Sequence, residues 1–331
     1  MRCAYQYDSD CVQSVYALQF SALRACQHAI LAPLAARRIA HLRCLRLPLN
    51  RIVETDMHAL LNVAIQAARK GGDSLLRSQR RLHELNIQSK GRNDFVSEAD
   101  DLAEAKIIDE IRKHYPDHAI LAEESGASGS GDVQWIIDPL DGTNNFLHNF
   151  PVYCVSIAVQ ISGRLSHGVI YDPMRQEIFS ASRGDGAQLD GRKIRVSGRR
   201  QIDDALLGTG FPYREGQQAD LDAYLELLKL VLQNSAGIRR PGAAALDLAY
   251  VAAGRLDAFW EFGLKSWDIA AGALMIREAG GIISGIDGSE DYLEAGHVMA
   301  GTPRVYTALA RLFATKTASA INALSSVKVT K

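Results

Sequence analysis

The sequence predicts a layered α/β protein, with helices laid against sheets, and three observations carry that expectation. Short apolar runs stop at acidic residues: residues 119–122 run into Glu123, and residues 133–137 run into Asp138. Such runs read as buried strands, and acids at strand ends are where an α/β site is built. Amphipathic helical periods alternate with these runs, as where Leu60, Leu61, Ala64, Ile65 and Ala68 share one face. Turn dipeptides, Ser162-Gly163 and Asp190-Gly191, separate strand-like segments and mark hairpins. The chain has 331 residues, 47% hydrophobic and 23% charged, with a formal net charge of −1. That is enough for one large or two medium domains. Near-neutral charge gives no global footprint for nucleic acid. No apolar run approaches the ~20 residues that cross a bilayer.

Residues 1–56 stand apart. They hold seven Arg, no Lys, four acidic residues and four of the five cysteines, for a charge of +3 against −4 in the remainder. Three readings compete: an Arg-rich targeting segment, a partner-binding helix, or a start codon placed too far upstream with Met57 as the true beginning. The last is the expectation, because a helix opens directly at Met57. The organisation expected is an N-terminal extension over 1–56, one domain over 57–315 and a tail over 316–331. The cysteines lack paired spacing, so they predict neither a zinc site nor a disulfide framework. Cys154 reads as a small buried hydrophobe.

Taken in order, residues 57–72 predict a helix stopped by Gly71-Gly72. Lys90 opens a polar loop, and Asp100 leads into a helix over 102–114 that ends before Pro116. Residues 119–122 predict a strand, and 126–131 a Gly/Ser loop. The strand over 133–137 should end at Pro139, which cannot donate to a ladder. A meander follows over 152–160, 165–171, 176–182 and 187–196. The cations Arg192, Lys193, Arg195, Arg199 and Arg200 read as a solvated hairpin face. Then come a strand over 205–210, a helix over 221–233, an extended piece over 236–240 and a helix over 241–254. A strand over 256–261 precedes a helix over 267–281, with Asp268 at its N-cap and Gly280-Gly281 as its stop.

The stretch 135–150 carries the chemistry. Asp138-Pro139-Leu140-Asp141 places two carboxylates at the lip of a sheet. Two close carboxylates repel unless a cation lies between them, and hard oxygens suit Mg²⁺. Gly142 allows close backbone approach, and Thr143 opens a helical turn whose free N–H groups can take an anion. A plain surface turn is the bland alternative. The Asp-x-Asp-Gly-Thr motif of haloacid-dehalogenase phosphatases is another, but there the acids are two apart and here they are three apart.

With Glu123, the Asp138 stretch and the Asp268 helix together, the chain resembles the inositol monophosphatase family, most of all its bacterial SuhB-type members. The resemblance covers about residues 57–312. It rests on Trp135 to His148, on Trp267 to Gly281, and on Lys90-Gly-Arg-Asn-Asp-Phe-Val upstream. It implies an alternating α-β-α-β-α sandwich and a Mg²⁺-dependent, lithium-sensitive phosphatase acting on myo-inositol and related monophosphates through a metal-activated water. It implies two to three Mg²⁺. Glu123, Asp138 and the Leu140 carbonyl would hold one, and Asp138, Asp141 and Asp268 a second. Gly142 and Thr143 would bind phosphate, Asp100 would position Thr143, and Lys90 would lie near the metals. Glu261 and the Ala244 backbone would contact the sugar hydroxyls. Asn144 and Ala243 depart from the family pattern, which has Thr at the first and Thr or Ser at the second. His148 and His297 read as structural or surface residues. A homodimer in the cytoplasm is implied too, with no membrane contact. So is a role beside transcription antitermination factors and RNA polymerase. Other substrates to weigh are 3′-phosphoadenosine 5′-phosphate, fructose 1,6-bisphosphate and histidinol phosphate.

Overall fold

The computed structural model describes residues 49–84, 87–91, 94–212 and 221–324. The chain divides into two units, Met1–Val53 and Glu54–Lys331. All elements below belong to the second except the first turns of its opening helix. The side chains of residues 1–58, 84–96, 213–220 and 315–331 lie outside the described set, as does the structure of most of the predicted extension and of the tail's end.

Helix α1 (Leu49–Gln79) begins ahead of Met57 and runs through Gly71-Gly72 instead of stopping there. The two glycines serve close packing. A Cβ at Gly71 would lie 2.8 Å from Ile107, and one at Gly72 would strike the Tyr171 ring. Where a loop was expected around Lys90, strands β1 (Ile87–Gly91) and β2 (Asp94–Ser97) form an antiparallel pair. Helix α2 (Glu98–His114) starts earlier than the sequence suggested. Ser97 caps it, and Asp100 returns a bond to the Ser97 N–H, which completes a capping box.

Eight strands form the first sheet. They are β3 (Ala119–Ala122), β4 (Gly126–Ser128), β5 (Val133–Asp141), β6 (Cys154–Ile161), β7 (Arg164–Asp172), β8 (Glu177–Ser182), β9 (Gly186–Leu189) and β10 (Arg192–Ile194). Their spatial order is β10-β9-β8-β7-β6-β5-β3-β4. Ser162 and Asp190 have φ of 49° and 48°, and the glycines after them are also left-handed, so both dipeptides make the hairpins predicted. The basic run over 192–200 is exposed, and Arg199 pairs with Asp204 at 3.0 Å.

Helix α3 (Thr143–Leu147) sits between β5 and β6. The second sheet holds β11 (Leu206–Thr209), β12 (Gly237–Arg239), β13 (Ala258–Glu261), β14 (Ile282–Gly285) and β15 (Val298–Gly301), in the order β12-β11-β13-β15-β14. Helices α4 (Leu221–Asn234), α5 (Ala244–Ala252), α6 (Ser266–Glu278), α7 (Tyr292–Ala295) and α8 (Pro303–Leu324) are the remaining described helices.

Strand alternation builds the layers. Trp135, Ile137, Val155 and Ile157 pack with Ala64, Leu75, Ile107 and Ile111 of α1 and α2. Ile136, Cys154 and Ala158 face the opposite way, onto α5 and α6, and Phe259, Ile283 and Ala300 close that core from the second sheet. Ala258, Trp260 and Met299 turn outward onto Tyr224, Leu227 and Val231 of α4 and Val305, Leu309 and Phe313 of α8. The result is helix, sheet, helix, sheet, helix, as expected.

Candidate active site

Strand β5 delivers the central acids. It runs parallel to β3 as far as the Ala122–Ile137 pair and antiparallel to β6 on its other side. Just past the end of β3, the Glu123 N–H donates to the Ile137 carbonyl at 3.1 Å. Pro139 does not end the strand. It lies inside β5 at an irregularity, where Asp138 pairs with Ser156 and Asp141 with Cys154. Pro139 and Leu140 on β5 thus oppose Val155 alone on β6, which is a bulge, and a bulge tolerates proline. The extra residue also decides direction. Two side chains three apart on a regular strand face opposite ways, but here Asp138 and Asp141 converge. With Asp268 they bring carboxylate oxygens within 4.8 Å of one another.

Asp268 is the third helical residue of α6, not its N-cap; Lys265 holds the cap position. Its Oδ2 accepts the Lys265 N–H at 2.6 Å. The carboxylate therefore sits at the positive end of α6. Glu123 lies against Asp138 and shares a hydrogen bond with it.

Electrostatics follow from the crowding. Burial, then the charges of Glu123, Asp141 and Asp268, push the Asp138 carboxyl well above the usual range. Asp141 is raised to about 7, by burial first and Asp268 second. Acids so placed hold protons or share a cation. The donor set, carboxylate oxygens alone, fits a hard divalent ion such as Mg²⁺ and not a thiophilic one.

Around this centre each predicted residue has a definite place. Asp138 Oδ1 accepts the Leu140 N–H at 2.9 Å, and the Leu140 carbonyl accepts the Thr143 hydroxyl at 3.0 Å. The Thr143 hydroxyl also faces Asp100 Oδ1 at 3.2 Å. Asp100 is buried, and burial raises its carboxyl to about 6. Gly142 precedes α3 with φ of 95°, and a Cβ there would meet the Val152 carbonyl at 3.0 Å and Ala243 at 3.3 Å. Only glycine fits that position. Ala244 and Ala245 turn their N–H groups on Asp141, the Ala245 bond to Oδ2 being 2.7 Å. Glu261 ends β13 and packs on Gly210. Lys90 lies on β1, but its side chain is outside the described residues. His148 is exposed, and the His297 ring accepts the Gly263 N–H at 3.3 Å, so neither reaches the acids by a described bond.

The sequence did not point to several neighbours. Asn145 Nδ2 donates to the carbonyls of Val152 at 2.7 Å and Pro241 at 2.8 Å, which ties α3 to the turn before α5. The Cys154 thiol reaches Asp141 Oδ2 at 3.6 Å, and burial raises its pKa well above the usual thiol value. Asp247 is buried on α5 between the charges of Glu261 and Asp141. Glu104 grips the turn after Glu123. Cys154 and Asp247 sit among apolar residues in sequence, and Glu104 lies one helical turn past Asp100, so only the third carried any signal.

The family model described as the inositol monophosphatase family matches residues 56–319. A protein named Nus factor SuhB from Pseudomonas aeruginosa is 53% identical over 257 residues, which span 76% of this chain and 95% of that protein. Among solved structures, the extragenic suppressor protein suhB of Bartonella henselae superposes with a TM-score of 0.75 at 44% identity, covering 78% of this chain and 99% of that one. An inositol monophosphatase from Anabaena (Nostoc) sp. PCC 7120 gives a TM-score of 0.70 at 36% identity, with 78% and 97% covered.

Proposed function

The chain belongs to the inositol monophosphatase family, and from that premise we propose that it is a Mg²⁺-dependent phosphatase. Its substrates are myo-inositol monophosphates and related polyol or sugar monophosphates. The observation that carries the reading is the convergence of Asp138, Asp141 and Asp268 on one point beside Glu123. Mg²⁺ held there would supply positive charge against the phosphoryl oxygens and the leaving alkoxide.

The chain's own residues do the rest. The first hydrogen bond of α3 is from the Phe146 N–H to the Gly142 carbonyl, at 3.0 Å. Amides earlier in that turn lack helical acceptors and can meet phosphate oxygens. Near neutral pH the Asp100 carboxylate can accept the Thr143 proton at 3.2 Å. That leaves the lone pairs of Thr143 Oγ1 to accept from the attacking water and aim it in line. Glu261 and the start of α5 would meet the hydroxyls of the alcohol, which favours a polyol over 3′-phosphoadenosine 5′-phosphate, fructose 1,6-bisphosphate or histidinol phosphate.

Initial rates on a panel of phosphate monoesters, with Mg²⁺ and with EDTA, test the proposal. Inositol 1-phosphate should be turned over only with Mg²⁺. LiCl should inhibit in the millimolar range where KCl does not. Absence of hydrolysis across the whole panel sinks the reading.

A second role is favoured by the relatives' name, Nus factor SuhB: binding to transcription antitermination factors and, with them, RNA polymerase, in the cytoplasm. Asp141→Asn should lose turnover and keep such binding in a pull-down. Retention of no antitermination factor by the intact protein removes this role. No described helix is long and apolar enough to cross a membrane. A homodimer fits the outer face of α4, where Leu221, Leu225 and Leu232 are 42%, 48% and 60% exposed. Sedimentation equilibrium of the protein and of Leu232→Asp decides it.

A further inference from the structure

Glu104 stands on α2 one turn beyond Asp100, so the two side chains share a face of the helix. It is only 3% exposed. Its Oε2 accepts the Glu124 N–H at 2.9 Å, and its Oε1 accepts the Ser125 N–H at 2.9 Å. These are the two amides that follow Glu123. Asp100, meanwhile, faces the Thr143 hydroxyl. One helical face therefore reaches both strand ends of the site: the turn after β3, which carries Glu123, and the start of α3 after β5, which carries Thr143.

We propose that Glu104 is a positioning residue for the active site: by holding the amides of Glu124 and Ser125 it fixes Glu123 against Asp138. The chemistry of the contact supports this. Two adjacent amides need two acceptors, and a carboxylate offers both at once, with the added strength of a charged acceptor. A glutamine of the same shape offers one oxygen and would turn its NH₂ against the other amide. A carboxylate buried under a turn that otherwise reaches solvent is costly to place, and a mere loop anchor does not require it. The Glu123 N–H donates to the Ile137 carbonyl at 3.1 Å, and its carboxyl meets Asp138. The two residues after it carry the chain away from that carboxyl, and Glu104 holds both of their amides.

The proposal rests on the phosphatase reading for its consequence but not for its test. In the intact protein, hydrogen exchange should show the Glu124 and Ser125 amides protected, although Ser125 is exposed on its turn. Exchange at the rate of free loop amides overturns the proposal without any variant. In Glu104→Gln, one or both amides should lose protection while those of β3 keep theirs. Mg²⁺ binding, measured by calorimetry without substrate, should weaken about 10–100-fold, as when a partner behind a ligand is removed. With substrate, kcat should fall while KM changes by less than about twofold. Unchanged Mg²⁺ affinity in a folded Glu104→Gln protein overturns the proposal. If that variant does not fold, Glu104→Asp, which keeps both oxygens on a shorter arm, should show the same weakening to a smaller degree, and parental affinity there overturns it as well. If the intact protein hydrolyses no monoester yet Glu104→Gln weakens Mg²⁺ binding, the positioning role stands and the phosphatase reading falls.

Discussion

Two helix starts meet at the site, and they are finished in opposite ways. Helix α2 caps itself: Ser97 and Asp100 are three residues apart, and each satisfies the other's end. Helix α5 has no side-chain cap of its own, because Ala243 stands at its N-cap position. Its cap comes from Asp141, 104 residues earlier, through the bond from the Ala245 N–H. In α2 the cap is local, and Asp100 has one oxygen to spare for Thr143. In α5 the cap comes from a carboxylate of the acidic cluster, so Oδ2 of Asp141 is committed to the helix, and under the proposed function the same side chain would also hold the cation. Under the proposed function, stability and catalysis would be separable at the first helix and joined at the second.

The largest test of that contrast is at Asp141. Asp141→Asn keeps an oxygen that can cap α5 but loses the charge, so turnover should fall by at least about 10³-fold with little change in melting temperature. Asp141→Ala should lose as much activity and also about 1–2 kcal/mol of stability, as a cap is removed. Equal melting temperatures for the two variants would show that Asp141 does not hold α5. At α2 the order reverses. Ser97→Ala should cost about 1 kcal/mol of stability and leave most of the activity. A loss of turnover as deep as that of Asp141→Asn would erase the distinction between the two helices.

Acidity sharpens the comparison further. Burial raises Asp141 to about 7 and Asp100 to about 6, both above the ~4 of an unfolded aspartate. Between about pH 4 and pH 7 the metal-free folded chain therefore binds more protons than the unfolded chain, and its stability falls as pH rises through that window. Melting curves in EDTA should move down by a few degrees from pH 5 to pH 8. Mg²⁺ should restore the loss at pH 8, where the acids are free to bind it. A flat profile in EDTA would remove the buried like charges from the account.

The smallest effect is expected at the N-terminus. Among the described residues, the hydrogen bonds that brace the site come from Ser97 or later, and the buried face of α1 is described from Leu60 onward. A chain beginning at Met57 should keep its activity within about twofold and its melting temperature within a few degrees. Insolubility or loss of most activity would make residues 1–56 part of the domain.

What the sequence could show divides along the same line as the caps. Features set by near neighbours were legible: the turns at Ser162-Gly163 and Asp190-Gly191, the strand end before Glu123, and the Gly280 stop of α6, where φ is 86°. Features set by distant partners were not. Gly71-Gly72 reads as a stop until Ile107 and Tyr171 are seen against it. Pro139 reads as a strand end until the bulge against Ser156 and Cys154 is known. Asp268 reads as a cap because its place three residues past the true cap, Lys265, leaves no mark on the apolar pattern. Glu104 and Asn145 gain their meaning from amides and carbonyls that no periodicity encodes. The acids themselves could be named from the sequence; the hydrogen bonds that aim them could not.

The borrowed cap has a consequence for a chain as it is being made. Asp138 and Asp141 are synthesised well before the amides of Ala244 and Ala245 that will hold the second of them, and before Asp268 that completes the cluster. The first sheet can pair its strands while these acids still face water and stay charged. In the finished fold α5 and α6 pack over that face of β5 and cover the carboxylates together. Docking of the second half of the chain would then force them either to take up protons or to capture a cation, and under the proposed function the ion would take part in the chain's maturation as well as in its chemistry.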